Sequence, residues 1–156
     1  MKRLLMVIML LLSVVVFGEE RKAPDFHLKD QYGVEQSLEK YKGKIIFLNF
    51  WVSWCPTCRA ETDTKKELFK KYGENREDII FLGVNNEEEA TVRGYINQKR
   101  FKIPTVLGAQ KEFDIYEIKH YPTTFVIDRT GNIVEELEEI KLSFEGVERV
   151  INKIDG

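Results

Sequence analysis

The chain has 156 residues, 43% of them hydrophobic and 32% charged, with a formal net charge of −2. That balance suits one domain with an apolar core and excludes a disordered or fibrous chain. Two cysteines cannot build a multi-bridge scaffold, and the near-neutral charge leaves no broad electrostatic footprint for nucleic acid.

Met1-Lys2-Arg3, the uncharged run Leu4 to Phe17 and the small Gly18 form the pattern of an export signal over residues 1–18, either cut after Gly18 or kept as an anchor. The run is shorter than the about 20 residues of a membrane span. Removing Lys2 and Arg3 from the 24 basic residues leaves 22 against 26 acidic ones, so the exported part carries −4. Residues 19–22 read as a polar tether and 23–156 as one domain working outside the cytosol, in the periplasm or on the outer face of the membrane, where disulfides persist.

Phe26 to Leu28 and Val34 to Ser37 flank Asp30-Gln31-Tyr32-Gly33, which predicts a short hairpin. Lys44 to Trp51 and Ile79 to Val84 are nearly continuous apolar runs, the mark of strands buried on both faces. Between them, Ala60, Thr64, Leu68, Phe69 and Tyr72 have helical spacing up to Gly73. Asn86 and Glu89 are spaced as a capping box for a helix running to about Arg100. Thr105 to Leu107 reads as a short strand and Glu112 to Ile118 as a short helix. Thr123 to Asp128 and Ile133 to Ile140 flank Arg129-Thr130-Gly131-Asn132 as an antiparallel hairpin, and Phe144 to Ile154 closes the chain with an amphipathic helix. This order predicts a mixed sheet covered by helices on both faces.

Cys55-Pro56-Thr57-Cys58 falls where the first buried strand ends and a helix begins. Proline favours the first helical position, so Pro56 makes Cys55 the N-cap and sets Cys58 one turn in. Unpaired N–H groups and the positive helix end favour a thiolate at Cys55, which predicts Cys55 as nucleophile and Cys58 as resolving thiol. Three other readings compete. A structural disulfide would close a very short loop for only roughly 2 kcal/mol. Half of a zinc site would need His27 and His120. Two incidental core cysteines would not explain the strand-to-helix setting, for which redox chemistry accounts best.

The stretches Asn49-Phe50-Trp51-Val52-Ser53-Trp54-Cys55-Pro56-Thr57-Cys58-Arg59-Ala60-Glu61 and Tyr116 to Gly131, with Tyr121-Pro122-Thr123 inside it, resemble the TlpA/ResA branch of thioredoxin-fold proteins. The resemblance runs from about Ala23 to the C-terminus and takes in a helix and strand between Asn86 and Leu107 that this branch inserts. It implies an α/β thioredoxin fold: a central mixed sheet flanked by helices, an N-terminal hairpin and the inserted helix–strand element. It further implies an exported thiol–disulfide oxidoreductase, often a reductant in cytochrome c maturation, with no cofactor beyond the redox-active Cys55–Cys58 disulfide. Its implied partners are protein thiols and disulfides, such as apocytochrome c, and a membrane thiol carrier; the implied form is a monomer. By the same resemblance Pro122 is a cis-proline facing the cysteines, Trp54, Pro56, Thr57 and Tyr121 line the substrate groove, and Glu61 accepts or relays a proton. On the residues alone, Pro122 marks a strand start or tight turn, and Glu61 is an acid favoured in the first turns of a helix.

The chain departs from that pattern in three ways, one being that the proline that often follows the glutamate is missing, with Thr62-Asp63 standing instead. Most relatives place proline just before the second cysteine; here Thr57 stands there and keeps an N–H that can point at the Cys55 sulfur, which predicts a more oxidising pair. Asn49 stands where thioredoxins proper carry a buried acid. The alternatives are a disulfide-donating oxidase using the same residues, or a Cu(I) or Zn metallochaperone built from Cys55, Cys58 and His120. The acidic clusters Glu87 to Glu89 and Glu135 to Glu139 read as solvated faces.

Overall fold

A computed structural model describes residues 20–139 and 142–156; the export segment expected over 1–18 lies outside them. The first hairpin forms with strands of two residues each, β1 (Leu28–Lys29) and β2 (Glu35–Gln36), paired antiparallel. The buried Asp30 carboxylate closes it, accepting from the N–H groups of Tyr32 and Val34 and from Gln36 Nε2. The two apolar runs become β3 (Ile45–Phe50) and β4 (Ile79–Val84), parallel and buried at every residue. Strands covered on both faces have this composition because neither side meets water.

Two helices, α1 (Pro56–Ala60) and α2 (Thr62–Lys71), replace the single helix that the spacing predicts, with the break at Glu61. The inward face differs as well. Ala60 is exposed and Thr64 half-buried, whereas Glu61, Thr62 and Lys65 turn inward with Leu68 and Phe69. α3 (Glu89–Lys99) starts after Glu88, with no side-chain cap, so the expected capping box does not form; Asn86 bonds Gln110 instead. α3 leads to β5 (Thr105–Val106), parallel to β4, and then to α4 (Gln110–Ile115), which lies earlier than expected. The second hairpin pairs β6 (Thr123–Ile127) with β7 (Ile133–Glu138). α5 (Phe144–Asp155) opens on Ser143, whose Oγ accepts the Gly146 N–H, and buries Val147 and Val150.

The five-stranded sheet runs β5-β4-β3-β6-β7, parallel from β5 to β3 and antiparallel from β3 to β7. Side chains alternate across it. On one face Asn49 meets Lys65 of α2, and α2 joins α3 through Thr62 and Tyr95 and α5 through the Lys71–Glu148 ion pair. On the other face Phe50 and Phe125 pack with Phe113 and Tyr116 of the α4 segment. The architecture is the one expected, with the α3–β5 insert extending one sheet edge. Arg21 and Lys22, within the expected tether, lie against the domain: the Ile133 N–H donates to the Arg21 carbonyl at 2.7 Å, Lys22 forms a bridge with Asn132, and Arg21 pairs with Glu136 at 2.6 Å.

Candidate active site

The segment Trp51 to Trp54 leads out of β3 into α1, and Cys55 is the N-cap of that helix. Its backbone is extended, with φ −72° and ψ 117°, and its Sγ accepts the Cys58 N–H at 3.1 Å. The donor is therefore Cys58 and not Thr57, as the sequence had suggested. Cys55 and Cys58 are joined as a disulfide. They are 4% and 2% exposed, so burial alone does not distinguish them.

Tyr121 and Pro122 are joined by a cis peptide bond, and the Tyr121 carbonyl oxygen lies 3.6 Å from Cys55 Sγ. Pro122 is buried and Tyr121 half-buried. Trp54, 64% exposed, meets the Tyr121 ring edge-on at 5.6 Å, and Phe113 contacts the same ring at 6.1 Å. With Pro56 exposed and Thr57 half-buried, the four residues expected to line a groove sit around the disulfide. Surface cavities of about 200 Å³ beside Tyr41 and Arg129 and about 440 Å³ beside Tyr32 and Arg100 contain none of these residues.

A buried polar cluster adjoins the end of α1. Glu61 is 1% exposed, and its Oε1 lies 2.9 Å from Lys65 Nζ, one helical turn on. Lys65 Nζ also donates to Asn49 Oδ1 at 3.0 Å, Asn49 Nδ2 donates to Thr124 Oγ1 at 2.8 Å, and the Leu142 N–H donates to Glu61 Oε2 at 3.1 Å. Burial pushes the Lys65 ammonium below the ordinary lysine range, against the opposing pull of Glu61. Sequence reasoning missed Lys65; its signal is an i, i+4 Glu–Lys pair placed on the stripe that also carries Leu68 and Phe69.

It also missed Glu87. Far from lying on a solvated face, this half-buried carboxylate accepts the Ser53 N–H at 2.6 Å, the Ser53 hydroxyl at 2.8 Å and Asn85 Nδ2 at 3.0 Å. It holds the segment before Cys55 to the end of β4. The neighbouring Glu88 and Glu89 are exposed, as expected. His120 and His27 are exposed beside Glu139 and Glu35. Among the described residues no three His, Cys, Asp or Glu side chains gather closely enough to hold a metal, so His120 does not complete a donor set with the two cysteines.

The Redoxin family model matches residues 19–151. The chain belongs to the Redoxin family. The thiol-disulfide oxidoreductase ResA of Bacillus thuringiensis (strain Al Hakam) is 36% identical over 129 residues, covering 81% of this chain and 74% of that protein. A thioredoxin-family thiol:disulfide interchange protein of Chlorobium tepidum TLS is similar in structure, with a TM-score of 0.76 and 26% identity over 88% of this chain and 97% of that one. The exposed lipoprotein thioredoxin Etrx1 of Streptococcus pneumoniae strain TIGR4 gives 0.74 and 26%, over 83% and 99%. The sheet and its helices thus form a thioredoxin fold, and this Redoxin-family chain is a thiol–disulfide oxidoreductase with Cys55 and Cys58 as its CxxC pair.

Proposed function

We propose that this oxidoreductase works outside the cytosol as a reductant of disulfides in exported proteins, of which apocytochrome c is one. The observation that carries the reading is the setting of Cys55: an N-cap sulfur bonded by a helix N–H, beside the Tyr121 carbonyl and an exposed tryptophan.

In this reading the Cys55 thiolate attacks one sulfur of a substrate disulfide, forming a mixed disulfide and releasing the first substrate thiolate. Cys58 gives up its proton to Glu61 and attacks Cys55 Sγ. The second substrate thiolate leaves, two electrons have passed to the substrate, and the Cys55–Cys58 disulfide is restored. A membrane thiol carrier returns two electrons. Tyr121 and Pro122 present backbone to the substrate, and Trp54, Pro56 and Thr57 complete the groove. If the pair is instead strongly oxidising, the same steps run in reverse and donate a disulfide.

A redox titration of the purified protein separates the two directions. A potential near about −270 mV supports the reductant, and one near about −120 mV overturns it in favour of the oxidase. The Cys58→Ala variant should accumulate disulfide-linked exported proteins in the cell. A variant that traps none sinks the protein-substrate reading.

A further inference from the structure

A fully buried ion pair is weak evidence for stability, because replacing both ions by apolar side chains often leaves stability unchanged or improves it. The Glu61–Lys65 pair is 1% and 3% exposed and held from four directions: Asn49 on β3, the Leu142 N–H, and the rings of Trp51 and Phe101, 5.7 Å and 5.5 Å from Lys65 Nζ. Its place is at the active site. Cys58 lies three residues before Glu61, and Thr62, between Glu61 and Lys65, donates its hydroxyl to the Cys58 carbonyl at 3.2 Å. Cys58 is 2% exposed in the disulfide, a setting in which a buried proton acceptor is of use when it becomes a nucleophile.

Resting on the reading that Glu61 takes this proton, we propose that Lys65 is the positioning residue of the relay. It holds the Glu61 carboxylate oriented to accept, and its ammonium leaves the buried cluster neutral both before and after the proton transfer. Before transfer the cluster holds Cys58–SH, Glu61 carboxylate and Lys65 ammonium, with net charge zero. After transfer it holds Cys58–S⁻, neutral Glu61 and Lys65 ammonium, again zero. The Cys58 thiolate then forms the bond to Cys55 Sγ, the Cys55–substrate S–S bond breaks, and the substrate sulfur leaves with the electron pair. That sulfur takes a proton from solvent while Glu61 returns one. Without Lys65, the buried carboxylate loses the cation that offsets its burial and fixes its position. Of the residues bonded to Thr62 beside the pair, Cys58 on α1, through its carbonyl, and Tyr95 on α3, through its hydroxyl, are titratable; Asn49, Trp51, Phe101 and Leu142, which contact the pair itself, bring no charge.

The test follows glutathione release from the full chain carrying glutathione on Cys55, the step that Cys58 performs, across pH. Lys65→Met should release glutathione at least about tenfold more slowly than wild type at neutral pH and recover in alkali. The Glu61→Gln/Lys65→Met double variant should be equally slow and lack that recovery, leaving only the Cys58 titration. It also carries the test if the single variant does not fold, because removing both ions strands neither. Lys65→Met with the wild-type rate and pH profile, or a double variant as fast as wild type, overturns the proposal. Wild type releasing no faster than Cys58→Ala would instead overturn the exchange reading, and the proposal with it.

Discussion

Removing Glu87 should loosen the approach to Cys55 at a measurable cost. Its carboxylate accepts three hydrogen bonds, two from Ser53 at 2.6 Å and 2.8 Å and one from Asn85 at 3.0 Å. Bonds to an ionised acceptor contribute about 1.5–3 kcal/mol each when dry, and water competes at this half-buried group, so a net of about 1 kcal/mol per bond is expected. Glu87→Ala should therefore lose about 3 kcal/mol, and Glu87→Gln, which keeps an acceptor oxygen but not the charge, about 1 kcal/mol. Urea unfolding of both variants measures this. A double-mutant cycle with Ser53→Ala isolates the hydroxyl bond, with an expected coupling of about 1 kcal/mol. Alkylation of the reduced protein should be faster in Glu87→Ala, because the segment joining β3 to the Cys55 cap has lost its anchor. A loss within about 0.5 kcal/mol, the range of ordinary surface substitutions, would refute the reasoning.

Two further outcomes follow from packing and charge. A Cβ at Gly83 on β4 would stand 2.9 Å from Trp51 Nε1 and closer still to Thr105 Oγ1, so Gly83→Ala should cost about 1–3 kcal/mol in thermal or urea unfolding; an unchanged midpoint would contradict the packing. At Asp128, burial raises the carboxyl pKa, but bonds from the Asn132 N–H and from the Thr130 hydroxyl and N–H outweigh it and hold the group below its ordinary value. A depressed folded-state pKa contributes stability that is present above the unfolded value, about 3.9, and lost as pH falls through the folded one. Asp128→Ala should therefore lower stability at neutral pH and flatten the acid limb of the stability curve; an acid limb identical to wild type would exclude this contribution.

Much of the sheet was legible because its central strands are long apolar runs, a pattern that a two-face-buried strand requires and a surface helix does not tolerate. Both hairpins and the Cys55 N-cap were legible from turn residues and from Pro56. The helix and strand of the insert were read from their own residues, and that they form an insert came from the resemblance. What stayed hidden is polar and inward. Apolar periodicity assigns charged residues to the surface, so Glu61 and Lys65, which satisfy each other inside the core, moved the expected inward face of the single predicted helix onto Ala60 and Thr64. Glu87 was hidden for a similar reason: three adjacent glutamates look alike in sequence, and only the fold brings Ser53 within reach of the first. The capping box failed because Asn85 uses its side chain to accept the Glu87 N–H at 2.7 Å, while Asn86 is drawn to Gln110.

The two outer strands bear on how the molecule avoids joining its neighbours. An unpaired strand edge is a template for further strands. β5 is only two residues long, and the first hairpin covers it, with Asp30 bridging Val106 and the Leu107 N–H donating to the Lys29 carbonyl. β7 is guarded at one end by Arg21 and Lys22, and along its length by Glu135, Glu136 and Glu138, so a second copy laid alongside would bring carboxylates against carboxylates. Both margins are thereby closed to edge-to-edge aggregation, and the acidic run of β7 serves colloidal stability as well as solvation.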